Sequence, residues 1–248
     1  MNLPTSPLFC LSSLKSFPIL RIKSCIYIFI ACTFLLGSNI ACNRNSAKKK
    51  QADLVKNGSI ELVQQGIAKS RQGDFQGSAR DFTKAVEKNP NDVHAYFNRG
   101  FAYSHLGKFE LALRDFSRAL KLDATLVEAY VNRGNVYLHL GKDEQAIINY
   151  VKALKLNPND AFAYNNLGLA YLNLGQADMA QHDFTEAITL KPDYGEAYFN
   201  RGLVLSELDH SQKAITDFEK AAQLWEQQGY DQGYYAAIEQ IKALEITK

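Results

Sequence analysis

Small and apolar residues recur along this chain in two alternating helical stripes, and the pair of stripes repeats every 34 residues. The register is fixed by Gly66, Gly100, Gly134, Gly168 and Gly202, which fall at the eighth place of five copies. The copies run Ser59 to Asp92, Val93 to Leu126, Val127 to Asp160, Ala161 to Tyr194 and Gly195 to Gln228. In each, residues at places 4, 8 and 11 and again at 20, 24 and 27 stand three or four apart. That is the spacing of one face of a helix, twice per copy. The fourth place is Leu62, Tyr96, Tyr130, Tyr164 and Tyr198, the twentieth is small, the twenty-fourth is Phe82, Phe116, Tyr150, Phe184 and Phe218, and the twenty-seventh is always Ala. Small residues at places 8, 20 and 27 predict close approach of paired helices, with the aromatics filling the gaps.

Turn residues divide the stripes. Gly73, Gly107, Gly141 and Gly175 at the fifteenth place suit the left-handed residue that closes a helix, with Asp209 standing there in the fifth copy. Pro90, Pro158 and Pro192 at the thirty-second place are predicted to stop the second helix, while copies two and five carry Ala124 and Glu226 instead. Each unit therefore reads as a helix hairpin, and a fixed period of this size implies a solenoid whose units bury their apolar faces against neighbours.

In residue pattern the five units, covering 170 of 248 residues, resemble tetratricopeptide repeats. Tyr or Leu stands at the fourth place where that repeat usually has Trp. The resemblance implies an all-α, right-handed superhelical solenoid whose first helices line an inner groove that binds peptides or proteins. After the fifth copy, residues 229–248 place Tyr234, Ile238, Ile241 and Leu244 on one stripe, with Ala236 at the eighth place of a would-be sixth unit. This segment reads as a helix capping repeat five, and Trp225, the single tryptophan, is expected to pack at the junction.

The amino-terminal segment has a different character. Residues 1–24 hold Lys15, Arg21 and Lys23 and no acid, and Cys25 to Gly37 form an uncharged run of apolar and small residues. A basic start, a short apolar core and small residues before a cysteine read as a secretory signal. The run is shorter than the ~20 residues a spanning helix needs. The phrase Ile40-Ala41-Cys42 resembles the end of a bacterial lipoprotein box, which implies acylation of Cys42; Asn39 stands where that box normally has an aliphatic residue. All four cysteines lie in residues 1–42, so processing there leaves none to form a disulfide. Residues 43–58 read as a polar, basic tether; its Lys48, Lys49 and Lys50 can lean on anionic headgroups, although so short a run is ordinarily solvated.

Charge narrows the function classes. Residues 1–42 carry three basic and no acidic side chains, leaving 25 basic against 26 acidic in the remainder, a balance that argues against nucleic-acid binding. No H-E-x-x-H, G-x-x-x-x-G-K or G-x-S-x-G motif is present, so the sequence predicts no enzyme, no cofactor, no metal and no small-molecule substrate. His105 and His139 share the thirteenth place and are expected to face the groove as solvated residues. Arg99, Arg133 and Arg201 at the seventh place and Asp115, Asn149 and Asp217 at the twenty-third predict clasps between paired helices.

By the same resemblance the groove is lined from places 2, 5, 6, 9, 12 and 13. The sixth place is Gln64, Asn98, Asn132, Asn166 and Asn200, whose amides offer a donor and an acceptor together and so suit the backbone of an extended chain. Beside them stand Phe97 and Phe199 at the fifth place and Phe101 and Asn135 at the ninth. The second place (Ile60, His94, Glu128, Phe162, Glu196) lacks the cations that a carboxylate clamp would need, so the expected partner is a protein or peptide with an apolar or amphipathic segment. The sequence thus predicts a non-catalytic interaction module, exported and lipid-anchored in a bacterial envelope, acting as adaptor or assembly factor. Its architecture is similar to that of bacterial repeat lipoproteins that assist envelope assembly. A regulatory subunit of an envelope enzyme and an uncleaved membrane-anchored assembly factor are the alternatives.

Overall fold

A computed structural model describes residues 58–246. The signal segment, Cys42 and the tether up to residue 57 lie outside the described residues. Helix α1 covers residues 58–71, and the chain continues through α2 (Phe75–Lys88), α3 (Val93–His105), α4 (Phe109–Leu122), α5 (Val127–His139), α6 (Asp143–Leu156), α7 (Ala161–Asn173), α8 (Ala177–Leu190), α9 (Gly195–Glu207), α10 (Ser211–Gln228) and α11 (Asp231–Ile246). No strand occurs among the described residues. Helices pack in chain order, each on the next. Beyond those neighbours, α3 approaches α5, α5 approaches α7 and α7 approaches α9, so the first helices form the inner wall of an all-helical solenoid.

The hairpins close as the small and aromatic places require. The rings of Phe82, Phe116, Tyr150, Phe184 and Phe218 are fully buried, each over the eighth-place glycine of its own repeat. A Cβ on Gly134 would lie 2.7 Å from Tyr150 Cε1. Between the two helices of each hairpin the chain turns through a left-handed residue, with φ from 64 to 80° at Gly73, Gly107, Gly141 and Gly175 and 59° at Asp209. Asp at that φ is a tolerated substitute for glycine.

The prolines end three of the second helices, the residue before each leaving the helical conformation. These helices stop at Lys88, Leu156 and Leu190, two residues before each proline, and α4 stops at the same place, Leu122, without one. There Asp123 Oδ1 accepts from Thr125 N at 2.8 Å and Thr125 Oγ1 at 2.6 Å, a side-chain turn that replaces the missing proline. In the fifth repeat Trp225 and Glu226 carry neither device, and α10 continues to Gln228 before Gly229 closes it at φ 70°.

That extension moves the cap out of register. The small residues buried in α11 are Gly233 and Ala237, not Ala236, which is only half buried. Tyr234, Ile238, Ile241 and Leu244 pack as expected against the core of repeat five with Phe218, Ala221 and Trp225.

The arginine clasps are present. Arg99 holds Asp115 through two bonds of 2.6 and 2.9 Å, Arg201 holds Asp217 at 2.7 and 2.8 Å, and Arg133 donates to Asn149 at 2.8 Å. Nη1 of each also reaches the preceding repeat, at Thr83, Ser117 and Thr185. Each guanidinium is further stacked over a fourth-place tyrosine, Tyr96, Tyr130 or Tyr198. Repeat four breaks the pattern. Leu167 replaces the arginine and packs against Val151, which replaces the hydroxyl residue of the preceding repeat, but the carboxylate remains. Asp183 is buried with Oδ2 unpartnered, and its other oxygen meets only His182 Nδ1 at 3.1 Å.

Candidate functional site

The inner wall is polar at its centre. Asn166 on α7 donates to Asn135 Oδ1 on α5 at 3.0 Å, Asn165 donates to Asn166 Oδ1 at 3.3 Å, and Asn200 on α9 donates to Asn165 Oδ1 at 3.0 Å. Four amides therefore form one hydrogen-bonded chain across three repeats. It is anchored from behind by Tyr150, whose hydroxyl donates to Asn135 Oδ1 at 2.7 Å. Burial, with Asp143 close by, pushes the Tyr150 phenol well above its ordinary range, so it remains a donor at any physiological pH. The two substitutions that create the anchor occur together: repeat three alone has Asn at the ninth place and Tyr at the twenty-fourth.

The sixth-place amides are thus not equivalent rungs. Asn98 and Asn132 each donate to their own helix, at His94 O and Glu128 O, both 2.8 Å, and keep a carbonyl oxygen for the groove. Asn166 and Asn200 are tied into the inter-repeat chain, and Gln64 is exposed at the far end. The shared sixth place suggests five alike amides, which the structure divides into two kinds. The departure arises because Asn135 and Asn165 place extra amides within bonding distance in repeats three and four only.

Two cavities flank this polar centre. One of about 290 Å³ is lined by Ile60, Val63, Gln64, Ile67, His94 and Asn98. The other, about 330 Å³, lies between α7, α9 and α11, with walls from Leu169, Phe199, Trp225 and Tyr230 and a rim of Asn165, Asn200, Glu196 and Gln232. Phe199 is therefore a groove residue, although its ring also sits 5.4 Å from both Phe218 and Trp225. Phe97 and Phe101 are half buried in packing, against Phe116 at 5.9 Å and Phe75 at 6.3 Å. They support the wall more than they line it. His105 and His139 are both exposed, as expected of solvated residues. Each packs on an aromatic of the preceding second helix, His105 stacked on Phe75 at 4.2 Å and His139 at 4.6 Å from Phe109.

Asn165 and Tyr150 belong to this site and escaped sequence reading. The signal was the doublet Asn165-Asn166 inside a helix, where asparagine is a poor former. Among the described residues no three His, Cys, Asp or Glu side chains gather as metal ligands, and no helix is long and apolar enough to cross a membrane.

Known family profiles match this architecture over repeats two to five. Tetratricopeptide repeat profiles fit residues 93–126, 161–194 and 195–226, and a TPR repeat profile fits residues 134–175. A crystal structure of MamA is 30% identical, covering 66% of this chain and 96% of its own, with a TM-score of 0.62. The chain belongs to the tetratricopeptide repeat family. MamA from Desulfovibrio magneticus RS-1, residues 41 to the end, superposes with a TM-score of 0.65 at 23% identity, over 69% of this chain and 97% of that one. YrrB, described as a TPR protein with an unusual peptide-binding site, shares the tetratricopeptide repeat fold at 21% identity and a TM-score of 0.62, over 77% and 97% of the two chains. No curated protein matches the chain. The first repeat, residues 59–92, forms the same hairpin, with Lys69 at the eleventh place paired to Asp81.

Proposed function

We propose that this protein is a non-catalytic adaptor or assembly factor that holds an extended segment of an envelope protein in its groove. The observation that carries the reading is the amide chain from Asn135 to Asn200 with an apolar cavity at either end of the inner wall. Amides satisfy a peptide backbone without reading its side chains, while the cavity walled by Leu169, Phe199 and Trp225 takes an apolar side chain. The same fold carries a peptide-binding site in YrrB. Export and a lipid anchor at Cys42 are supported by the basic start, the short apolar run and the lipoprotein-box-like ending. Acyl chains there contribute about 0.8 kcal/mol per buried CH₂ and would hold the protein on the membrane.

The test is site-specific photocrosslinking in the native host from positions 98 and 200, with position 152 on a second helix as control. Crosslinked partners should form from the groove positions only, and Asn132, Asn166 and Asn200 changed together to Ala should weaken them by one to three decades in affinity, at about 0.5 to 1.5 kcal/mol per lost bond. Partners captured equally from position 152, or unaffected by the triple change, would sink the groove. Mass spectrometry of the mature protein should find an acylated Cys42 at its amino terminus; an unmodified Cys42 behind an intact Met1 rules out the anchor.

A further inference from the structure

The outer face, made by the second helices, is unevenly charged along the array. At places 22 and 26, one helical turn apart, repeats one and two carry Arg80 with Lys84 and Arg114 with Arg118, whereas repeats three to five carry Ile148 with Lys152, His182 with Glu186 and Thr216 with Lys220. Arg80, Lys84 and Arg114 are exposed and make no ion pair among the described residues, and Arg118 meets only the Pro90 carbonyl, at 3.3 Å, and the Tyr96 ring. Lys108 joins Arg80 and Lys84 around a shallow crevice of about 400 Å³. The acids on the same helices are few. Asp81 and Asp115 are buried in clasps, which leaves Glu87 and Glu110 facing solvent.

The opposite end of the array has the reverse character. Residues 59–160 hold 14 basic and 12 acidic side chains, and residues 161–248 hold 6 and 13. A charged plane acts on this whole distribution, attracting one end and repelling the other, whereas a small anion would sense the crevice alone. We propose that the outer face of the first two repeats docks on an anionic lipid bilayer through Arg80, Lys84, Lys108, Arg114 and Arg118, leaving the acidic carboxyl-terminal repeats directed away. Each such residue near an anionic surface contributes about a five-fold factor in partitioning, so the patch suffices to orient the solenoid without holding it irreversibly. The patch is on second helices, opposite the groove, and stands or falls separately from groove binding.

The experiment is amine footprinting of the full chain with a water-soluble acetylating reagent, read by mass spectrometry, in the presence of phosphatidylglycerol or phosphatidylcholine vesicles. Acetylation of Lys84 and Lys108 should slow by roughly five-fold or more on phosphatidylglycerol alone, with Lys213 and Lys242 unchanged. The double variant Arg80→Glu, Arg114→Glu should lose that protection with its helical dichroism intact, and high salt should abolish it in the parent. Equal protection on phosphatidylcholine, or none on either, overturns the proposal. So does equal protection by glycerol phosphate or polyglutamate without vesicles, which would assign the patch to a free anion or an acidic chain. Protection that grows with protein concentration in the absence of lipid would assign it to the acidic end of a second copy, and equally overturns the lipid reading.

Discussion

Asp183 is the clearest case of a single residue at odds with its surroundings. Its counterparts Asp115 and Asp217 are held by arginines, but here Leu167 and Val151 have replaced both the guanidinium and its hydroxyl partner, and the carboxylate remains in apolar packing. Burial raises its pKa above the ordinary 3.8, against the pull of His182 and with Glu186 adding to the rise. The native state therefore binds a proton more tightly than the unfolded chain, and the destabilisation grows as pH rises from 3.8 through the raised value. Asp183→Asn should stabilise the protein by about 1–3 kcal/mol at neutral pH. Its new Nδ2 can donate one turn back along the helix, as Asn149 does to Gln145 O at 2.7 Å. Thermal melts across pH test this: the gain should shrink on acidification, and a gain that is absent at neutral pH or widens in acid would contradict the account. Asp115→Asn, which weakens an intact clasp, should instead lower stability at neutral pH.

At the scale of the helix pair, the contact between an eighth-place glycine and a twenty-fourth-place ring sets the spacing, and repeat three gives it a second task. Gly134→Ala would press a methyl against a ring that is fully buried and hydrogen-bonded to Asn135, so neither side can yield freely. The cost should be about 1–3 kcal/mol in chemical denaturation. Nuclear magnetic resonance should show the amide signals of Asn135 and Asn166 shifting together, and unchanged signals would mean that Tyr150 does not anchor the chain. Most of the hairpin was legible in sequence, because glycine, alanine and aromatic places obey steric rules that repeat at a fixed period. Helix ends were less so: prolines marked the neighbourhood of a stop, but a side-chain turn at Asp123 serves as well. The groove was legible only as a set of positions. Which amides bond to one another depends on distances between helices in successive repeats, and no pattern within a single repeat contains that information.

Across the whole molecule, each repeat touches only its neighbours, so stability is close to a sum of unit and interface contributions, and the ends matter disproportionately. Removing residues 229–248 would uncover Trp225, Phe199 and Phe218 of repeat five, all of which α11 helps to shield. The melting temperature should fall, and apolar-dye binding should rise, by an amount corresponding to a few kcal/mol, about 25 cal/mol per Å² of apolar surface exposed. Unchanged melting and solubility would mean that α11 is not the cap. The four extra residues of α10, from Trp225 to Gln228, have a consequence for how such an array changes in size. Every other second helix ends in time for the chain to turn back and present a fresh seat for a copy of itself. Here that seat is taken by α11, displaced by the helix's extra turn and packed on an indole ring. Duplication of an internal unit would lengthen the protein without disturbing its fold, whereas a unit appended after residue 228 would find no matching surface. The limit on adding units after repeat five is thus set by one position, the thirty-first, where Asn89, Asp123, Asn157 and Lys191 give way to Trp225.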